Sequence, residues 1–229
     1  MNLDPITLEV IRNKLDGIAN EMQYSLLRSA FSPIVKEGLD ASSSLFTLKG
    51  ETLSQSISIP IHLGTLIPII NEILKFNSID TMEDGDIFIM NDPYLGGTHL
   101  PDIAVIMPIF NKNKLVGLSA TMAHHQDVGG MTPGSVPTNA TEIFQEGIRI
   151  PPLKLASAGK VDENLIRLIK LNVRLPEIFM GDINAQIAAC NVGRRRLIEL
   201  CQKYDSHFIL QIFENLLDRS EQMTREALK

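Results

Sequence analysis

The chain has 229 residues, 44% of them hydrophobic and 21% charged, with 15 glycines and 12 prolines, a composition that excludes disordered, collagen-like and low-complexity classes. A net charge of −6, from 21 Lys plus Arg against 27 Asp plus Glu, supplies no basic field, so nucleic acid is not an expected partner. The length suits one domain, 1–229, whose core needs no metal or disulfide staple.

Met1-Asn2-Leu3-Asp4-Pro5 lacks the basic and apolar regions of a signal peptide, and the longest clean apolar run, 103–110, is too short to span a bilayer. No membrane partner is expected. Asp4 caps a helix opened by Pro5, and Leu8, Ile11, Leu15, Ile18, Met22 and Leu26 recur at three- and four-residue spacing, which predicts an amphipathic helix over 5–30. Beyond Ser32-Pro33, residues 43–59 alternate loosely around Lys49-Gly50-Glu51 and read as a hairpin. A helix over 61–76, entered through Pro60, precedes a short buried strand, 87–90, that runs into an irregular loop, 91–102. Strands 103–110 and 115–122 follow, joined by Asn111-Lys112-Asn113-Lys114, with Pro108 arguing for an edge or a bulge. The stretch 125–138, with Gly129-Gly130 and Pro133-Gly134, has the character of a functional loop. Helices are expected over 161–173, 176–203 and 206–227. Strands grouped before helices predict an α+β fold: a mainly antiparallel sheet with an N-terminal helix and a C-terminal helical run. Cys190 and Cys201, on one helix, stand about 16 Å apart, beyond disulfide reach; two reduced thiols point to the cytoplasm.

The chemistry gathers in 92–127, where Asp92, His99, Asp102, His124, His125 and Asp127 crowd together. If the turn is centred between Lys112 and Asn113, paired residues sum to 225, setting Pro101 opposite His124 and Asp102 opposite Ala123. The turn holding His99 and Asp102 then meets the His124-His125 pair at one end of the hairpin, since neighbouring strands lie about 4.8 Å apart. Two imidazoles and a carboxylate suit a divalent transition metal such as zinc, manganese or iron. Adjacent residues on a strand face opposite sides, so His124 is chosen as ligand beside His99 and Asp102, with His125 or Asp127 left for support or acid–base work. Gly96, Gly97, Gly129 and Gly130, with Asp92, are assigned to the substrate, because glycine lets a backbone approach a ligand; turns with positive φ are the alternative. No G-x-x-x-x-G-K-[ST] or G-x-G-x-x-G motif is present, so nucleotide binding by this chain is not expected. His62 and His207 are isolated, and for His62 a core role is set against one facing the site.

These motifs, Asn91-Asp92-Pro93-Tyr94, Gly96-Gly97-Thr98-His99-Leu100-Pro101-Asp102 and His124-His125-Gln126-Asp127-Val128-Gly129-Gly130, resemble the hydantoinase B / 5-oxoprolinase family. Lys36-Glu37 with Asp40 and Ser43, Ile59-Pro60-Ile61-His62-Leu63-Gly64, Glu146-Gly147 with Ile150-Pro151-Pro152, and Gly181-Asp182-Ile183-Asn184-Ala185-Gln186 extend the resemblance along the chain. It implies the N-terminal portion of a longer subunit. It implies ATP-dependent opening of a cyclic amide, 5-oxoproline or a hydantoin, beside a hydantoinase A-type subunit that binds ATP and phosphorylates the substrate oxygen, within a homo- or hetero-oligomer. It also implies a divalent metal on His99, Asp102 and His124, as in the family's carboxylase relatives. A carboxylase subunit of the acetone type, or a non-catalytic assembly fragment, are the alternatives.

Overall fold

The computed structural model describes residues 4–229; the reading of Met1 to Leu3 as free of a leader lies outside them. Helix α1 (Pro5–Ser29) begins where Asp4 accepts hydrogen bonds from the N–H groups of Ile6 and Thr7, and it buries all six residues of the expected stripe. After a four-residue helix, α2 (Pro33–Lys36), the chain forms strands β1 (Ala41–Phe46) and β2 (Thr52–Gln55), then helix α3 (Pro60–Phe76) and strand β3 (Ile87–Met90). The long hairpin follows as β4 (Asp102–Asn111) and β5 (Lys114–His124). Strands β6 (Leu153–Ser157) and β7 (Lys160–Val161) lead into α4 (Glu163–Asn172), α5 (Pro176–Tyr204) and α6 (Ser206–Ala227).

The seven strands form one sheet in the order β2-β1-β5-β4-β3-β6-β7, and every pairing is antiparallel. The fold is α+β. Among the described residues no helix is long and apolar enough to cross a membrane.

Side-chain alternation divides the sheet between two helical layers. Ala104, Ile106, Leu118, Ala120 and Met122 point to one face and pack with Leu66, Ile69, Ile70 and Ile73 of α3. Their neighbours Ile103, Val105 and Met107 point to the other, against Phe179, Ile183 and Cys190 of α5. Helices α1, α5 and α6 pack together on that second side. Asp102 and His124 share the parity of the α3 face, and this decides where the chemistry lies.

Three expectations need correction. The hairpin turn sits where the arithmetic put it, with Asn111 paired to Lys114, but the register shifts at Ile109/Phe110, and Val116 is the unpaired extra residue on β5. From there on the pairs sum to 226, so Asp102 faces His124 directly rather than Ala123. Pro108 does sit at a local edge beside a bulge, as expected: β4 is interior, but its pairing with β3 ends at Ile106, and the register shift follows at Ile109/Phe110. Residues 56–59 are not strand, and the helix expected from 161 begins at Glu163 because Val161 belongs to β7, while β6 falls in a stretch that periodicity leaves unassigned. Pro151-Pro152 and charged Lys154 mask the short run of β6.

Candidate metal centre

The strand order β1-β5-β4 sets three chain positions side by side at one end of the sheet. Asp102 is the first residue of β4, His124 the last of β5, and the two are cross-strand partners. Asp40 immediately precedes β1, and its carbonyl accepts the His124 N–H at 3.0 Å. The loop from β3 to β4 closes with a turn in which the Asp102 N–H donates to the His99 carbonyl at 3.1 Å, so the H-x-x-D segment folds both side chains to the same side. His62 enters from above, in the first turn of α3, and brings its Nε2 to two carboxylates.

The five side chains converge. Asp102 Oδ1 lies 3.2 Å from His99 Nε2 and 3.3 Å from His124 Nδ1, and those two nitrogens are 3.2 Å apart. Asp102 Oδ2 accepts the Thr98 hydroxyl and lies 3.4 Å from His62 Nε2. Asp40 completes the ring, with Oδ1 3.5 Å from His62 Nε2 and Oδ2 3.8 Å from His124 Nδ1. His62 and Asp102 are buried, whereas the side chains of His99 and Asp40 are 42% and 31% exposed. The cluster is thus the floor and one wall of an open cleft of about 440 Å³, rimmed by Ile59, Ile61 and Thr98.

A metal fits this set. Asp102 Oδ1 is buried without a hydrogen-bonding partner, although two imidazole nitrogens point at it from 3.2 and 3.3 Å. Ligand atoms 2.0–2.1 Å from one tetrahedral ion stand about 3.3 Å apart, and the triangle of Asp102 Oδ1, His99 Nε2 and His124 Nδ1 has those edges. Two imidazoles with carboxylates match a first-row transition ion better than magnesium or calcium. Burial works against the charge on Asp102. The imidazoles of His124, His62 and His99 and the Thr98 hydroxyl outweigh it and hold the carboxyl well below the usual range. The Asp102 carboxylate beside it in turn raises His99.

The other expected site residues lie outside the cleft of the metal cluster. His125 points to the opposite face, fully buried, with Nε2 3.0 Å from Gln186 Oε1 and its ring against Phe179. Burial lowers its pKa. Asp127 is buried in its own loop, accepting from the N–H groups of Gly129, Gly134 and Arg174 and from the Arg174 guanidinium. Asp92 caps the short turn 93–95 through the Tyr94 N–H and lies 3.4 Å from Arg149 Nε. A Cβ on Gly97 would meet the Asp92 carbonyl oxygen at 2.9 Å, and one on Gly129, where φ is +90°, the Asn172 oxygen at 2.4 Å. Gly96 and Gly130 also pack on protein backbone. At all four positions the absence of a Cβ permits a close approach of neighbouring chain. Burial pushes the Cys190 thiol up to about 12, leaving it inert as a nucleophile.

Sequence reasoning left Asp40 and His62 without an assigned role. For His62 a signal existed: it precedes Leu66, Ile69 and Ile73 on the buried stripe of α3, so a histidine there faces the sheet. Asp40 depends on β1 lying beside β5, a long-range pairing that periodicity does not encode.

The whole chain has counterparts of known kind. A sequence profile of the family Hydantoinase B/oxoprolinase matches residues 4–229. The B component of a putative D-/L-hydantoinase from a Pseudomonas species is 36% identical over 99% of this chain and 39% of its own length. The crystal structure of ATP-dependent caprolactamase from Pseudomonas jessenii superposes with a TM-score of 0.90 at 35% identity, covering 100% of this chain and 39% of that one. Acetone carboxylase in a nucleotide-free structure gives a TM-score of 0.86 at 26% identity, covering 92% of this chain and 28% of that one. The chain thus spans about two fifths, or less, of the length of these relatives. Over the length it does span, sequence and fold agree with these relatives, and the chain belongs to the Hydantoinase B/oxoprolinase family.

Proposed function

We propose that this chain carries the metal centre of an ATP-dependent enzyme that opens a cyclic amide, acting with a hydantoinase A-type subunit that binds ATP. The observation that carries the reading is the triangle of Asp102 Oδ1, His99 Nε2 and His124 Nδ1 at the mouth of an open cleft. His99, Asp102 and His124 hold a divalent ion, zinc, manganese or iron. When bound, the ion supplies Lewis-acid polarisation of a carbonyl oxygen and acidification of water.

The chain's own groups do the rest. An amide is a poor electrophile, and phosphorylation of its oxygen by the partner activates the carbon: water adds to it, the ring C–N bond breaks as the nitrogen takes up a proton, and the acyl phosphate so formed is hydrolysed to carboxylate and phosphate. Asp40, the carboxylate on the open side of the cluster, takes the proton from the attacking water as a general base. Asp102, buried and held charged, keeps the two imidazoles in place. His125 and Asp127 act at one remove: His125 ties the end of β5 to Gln186 of α5, and Asp127 shapes the following loop. Ile59 and Ile61 give the cleft an apolar rim suited to the methylene edge of a lactam ring. Reduced, buried thiols and the use of ATP fit a cytoplasmic setting.

The likeness to acetone carboxylase favours a second reading, a carboxylase component built on the same ligands. It ranks lower because identity and coverage are both smaller than for the caprolactamase. The deciding experiment measures metal content first, then ATP-coupled turnover of 5-oxoproline, hydantoin or caprolactam in the presence of the ATP-binding partner. One divalent ion per chain, lost in His99→Ala and His124→Ala along with ring opening, is the expected result. Unchanged metal content in both variants sinks the ligand set, and bicarbonate-dependent consumption of a ketone in place of ring opening selects the carboxylase.

A further inference from the structure

His62 stands apart from the rest of the cluster. It comes from α3 rather than from the sheet end, it is 2% exposed, and its Nε2 lies nearly midway between Asp102 Oδ2 at 3.4 Å and Asp40 Oδ1 at 3.5 Å. Each carboxylate therefore turns one oxygen to His62 and the other toward His124 Nδ1, at 3.3 Å for Asp102 and 3.8 Å for Asp40. Separations of this length are long for a single hydrogen bond and suit one N–H shared between two acceptors.

The other ring nitrogen separates the roles open to this histidine. His62 Nδ1 is buried and has no hydrogen-bonding partner. A histidine bound to a metal almost always donates its second N–H to an acceptor that fixes the ring, and His62 has none. With a hydrogen on Nε2, the one ring nitrogen that has acceptors within reach, His62 offers a single donor to both carboxylates.

We propose that His62 is a positioning residue: it shares its Nε2–H between the outer oxygens of Asp40 and Asp102, so that the inner oxygens of both carboxylates face the ion. Two carboxylates side by side repel each other. A fixed donor between them keeps them from splaying when no ion is present. Preorganisation of this kind raises affinity without adding a ligand. The inference rests on the metal reading above and extends it to a residue that touches neither ion nor substrate.

The test is zinc titration of the metal-stripped full chain by calorimetry, with His62→Leu and His62→Gln, and thermal melting of each metal-free form. Wild type is expected to bind one zinc per chain. His62→Leu, which fills the space without a donor, should bind one zinc about 10- to 100-fold more weakly, whereas His62→Gln, which keeps an N–H donor at similar reach, should stay within about threefold. Rescue by Gln at unchanged stoichiometry separates a donor from mere packing. Equal affinity in all three proteins overturns the inference, as does an equal loss in both variants. Two zinc ions in wild type falling to one in His62→Leu also overturns it, by making His62 a ligand of a second ion. Should His62→Leu fail to fold, tight binding by His62→Gln supports the proposal and weak binding refutes it. A wild type that binds no zinc removes the metal reading itself, and this inference with it.

Discussion

Asp127 shows how a residue picked for chemistry comes to serve structure. Its carboxylate accepts three backbone N–H groups, from Gly129, Gly134 and Arg174, and the Arg174 guanidinium. Because Arg174 is 38% exposed, the ion pair is screened and the larger share of the stabilisation comes from the buried N–H donors. We expect Asp127→Asn to lose about 1.5–3 kcal/mol in urea unfolding at pH 7 while still binding zinc. Burial raises this carboxyl, but the N–H groups of Arg174, Gly129 and Gly134 and then the Arg174 guanidinium outweigh it and hold it below its ordinary value. A carboxyl depressed in the folded state stabilises above its unfolded pKa of about 3.9, and that stabilisation is lost as pH falls below it toward the folded value. The gap between wild type and Asp127→Asn should therefore narrow between pH 6 and pH 3. A gap that stays constant, or a variant as stable as wild type at pH 7, would show that this carboxylate does not anchor the loop. The adjacent pair His124 and His125 divided as strand alternation required, one to each face of the sheet. The sequence could not distinguish which polar residues would be consumed by loop backbone, because that depends on loop geometry rather than spacing.

At the level of elements, the expected helices were legible because their stripes carry the 3.6-residue period through every turn, as with Leu8 to Leu26 in α1. Register was less so. Val116 is an ordinary β-branched residue with nothing to mark it as the extra position in β5, so pairing counted from the turn alone falls one residue short at the site. Strands β6 and β7 are five and two residues long, too short for alternation to register. The packing of α5 on the sheet supplies a prediction at this scale. A Cβ on Gly193 would lie 2.5 Å from Met22 Sδ and 3.2 Å from Ser119 Cβ, where α5, α1 and β5 meet. Gly193→Ala gains about 1 kcal/mol of helix propensity, and the thioether end of Met22 is a flexible neighbour, so this variant should fall within about 1 kcal/mol of wild type. Gly193→Leu adds bulk that presses on Ser119 of β5 as well as on Met22, and overpacking of this kind costs about 1–3 kcal/mol or more. Thermal melting of both variants checks the difference. If Gly193→Leu melts with wild type, α5 does not approach the sheet this closely.

Nucleotide chemistry belongs to the scale of the whole molecule. The sequence holds no phosphate-binding glycine motif, and the wholly antiparallel sheet offers no switch point between parallel strands at which a nucleotide would sit. The stripe expected on the last helix, Phe208, Ile212, Leu216 and Leu217, is only partly turned inward. Ile212 is buried together with Ile209 and Phe213, packed in the cluster of α1 and α5, whereas residues 218–229 are all exposed. Burial of that first half accounts for the helix within this chain and removes the need for a partner to cover it. The proposed partner therefore rests on the proposed chemistry: in that reading this chain supplies the ion site and the base, and the ATP that activates the amide comes with a hydantoinase A-type subunit. We expect the 229-residue chain to bind zinc and to show no ATP hydrolysis above a protein-free control. Mixed with a hydantoinase A-type subunit and the rest of its own subunit type, it should support ATP hydrolysis that rises when cyclic amide is added. The coupling should disappear with His124→Ala in this chain, while ATP binding by the partner persists. Release of phosphate from ATP by the 229-residue chain alone, at a rate that scales with its concentration and survives repurification, would place the nucleotide site in this fold and overturn the division of labour.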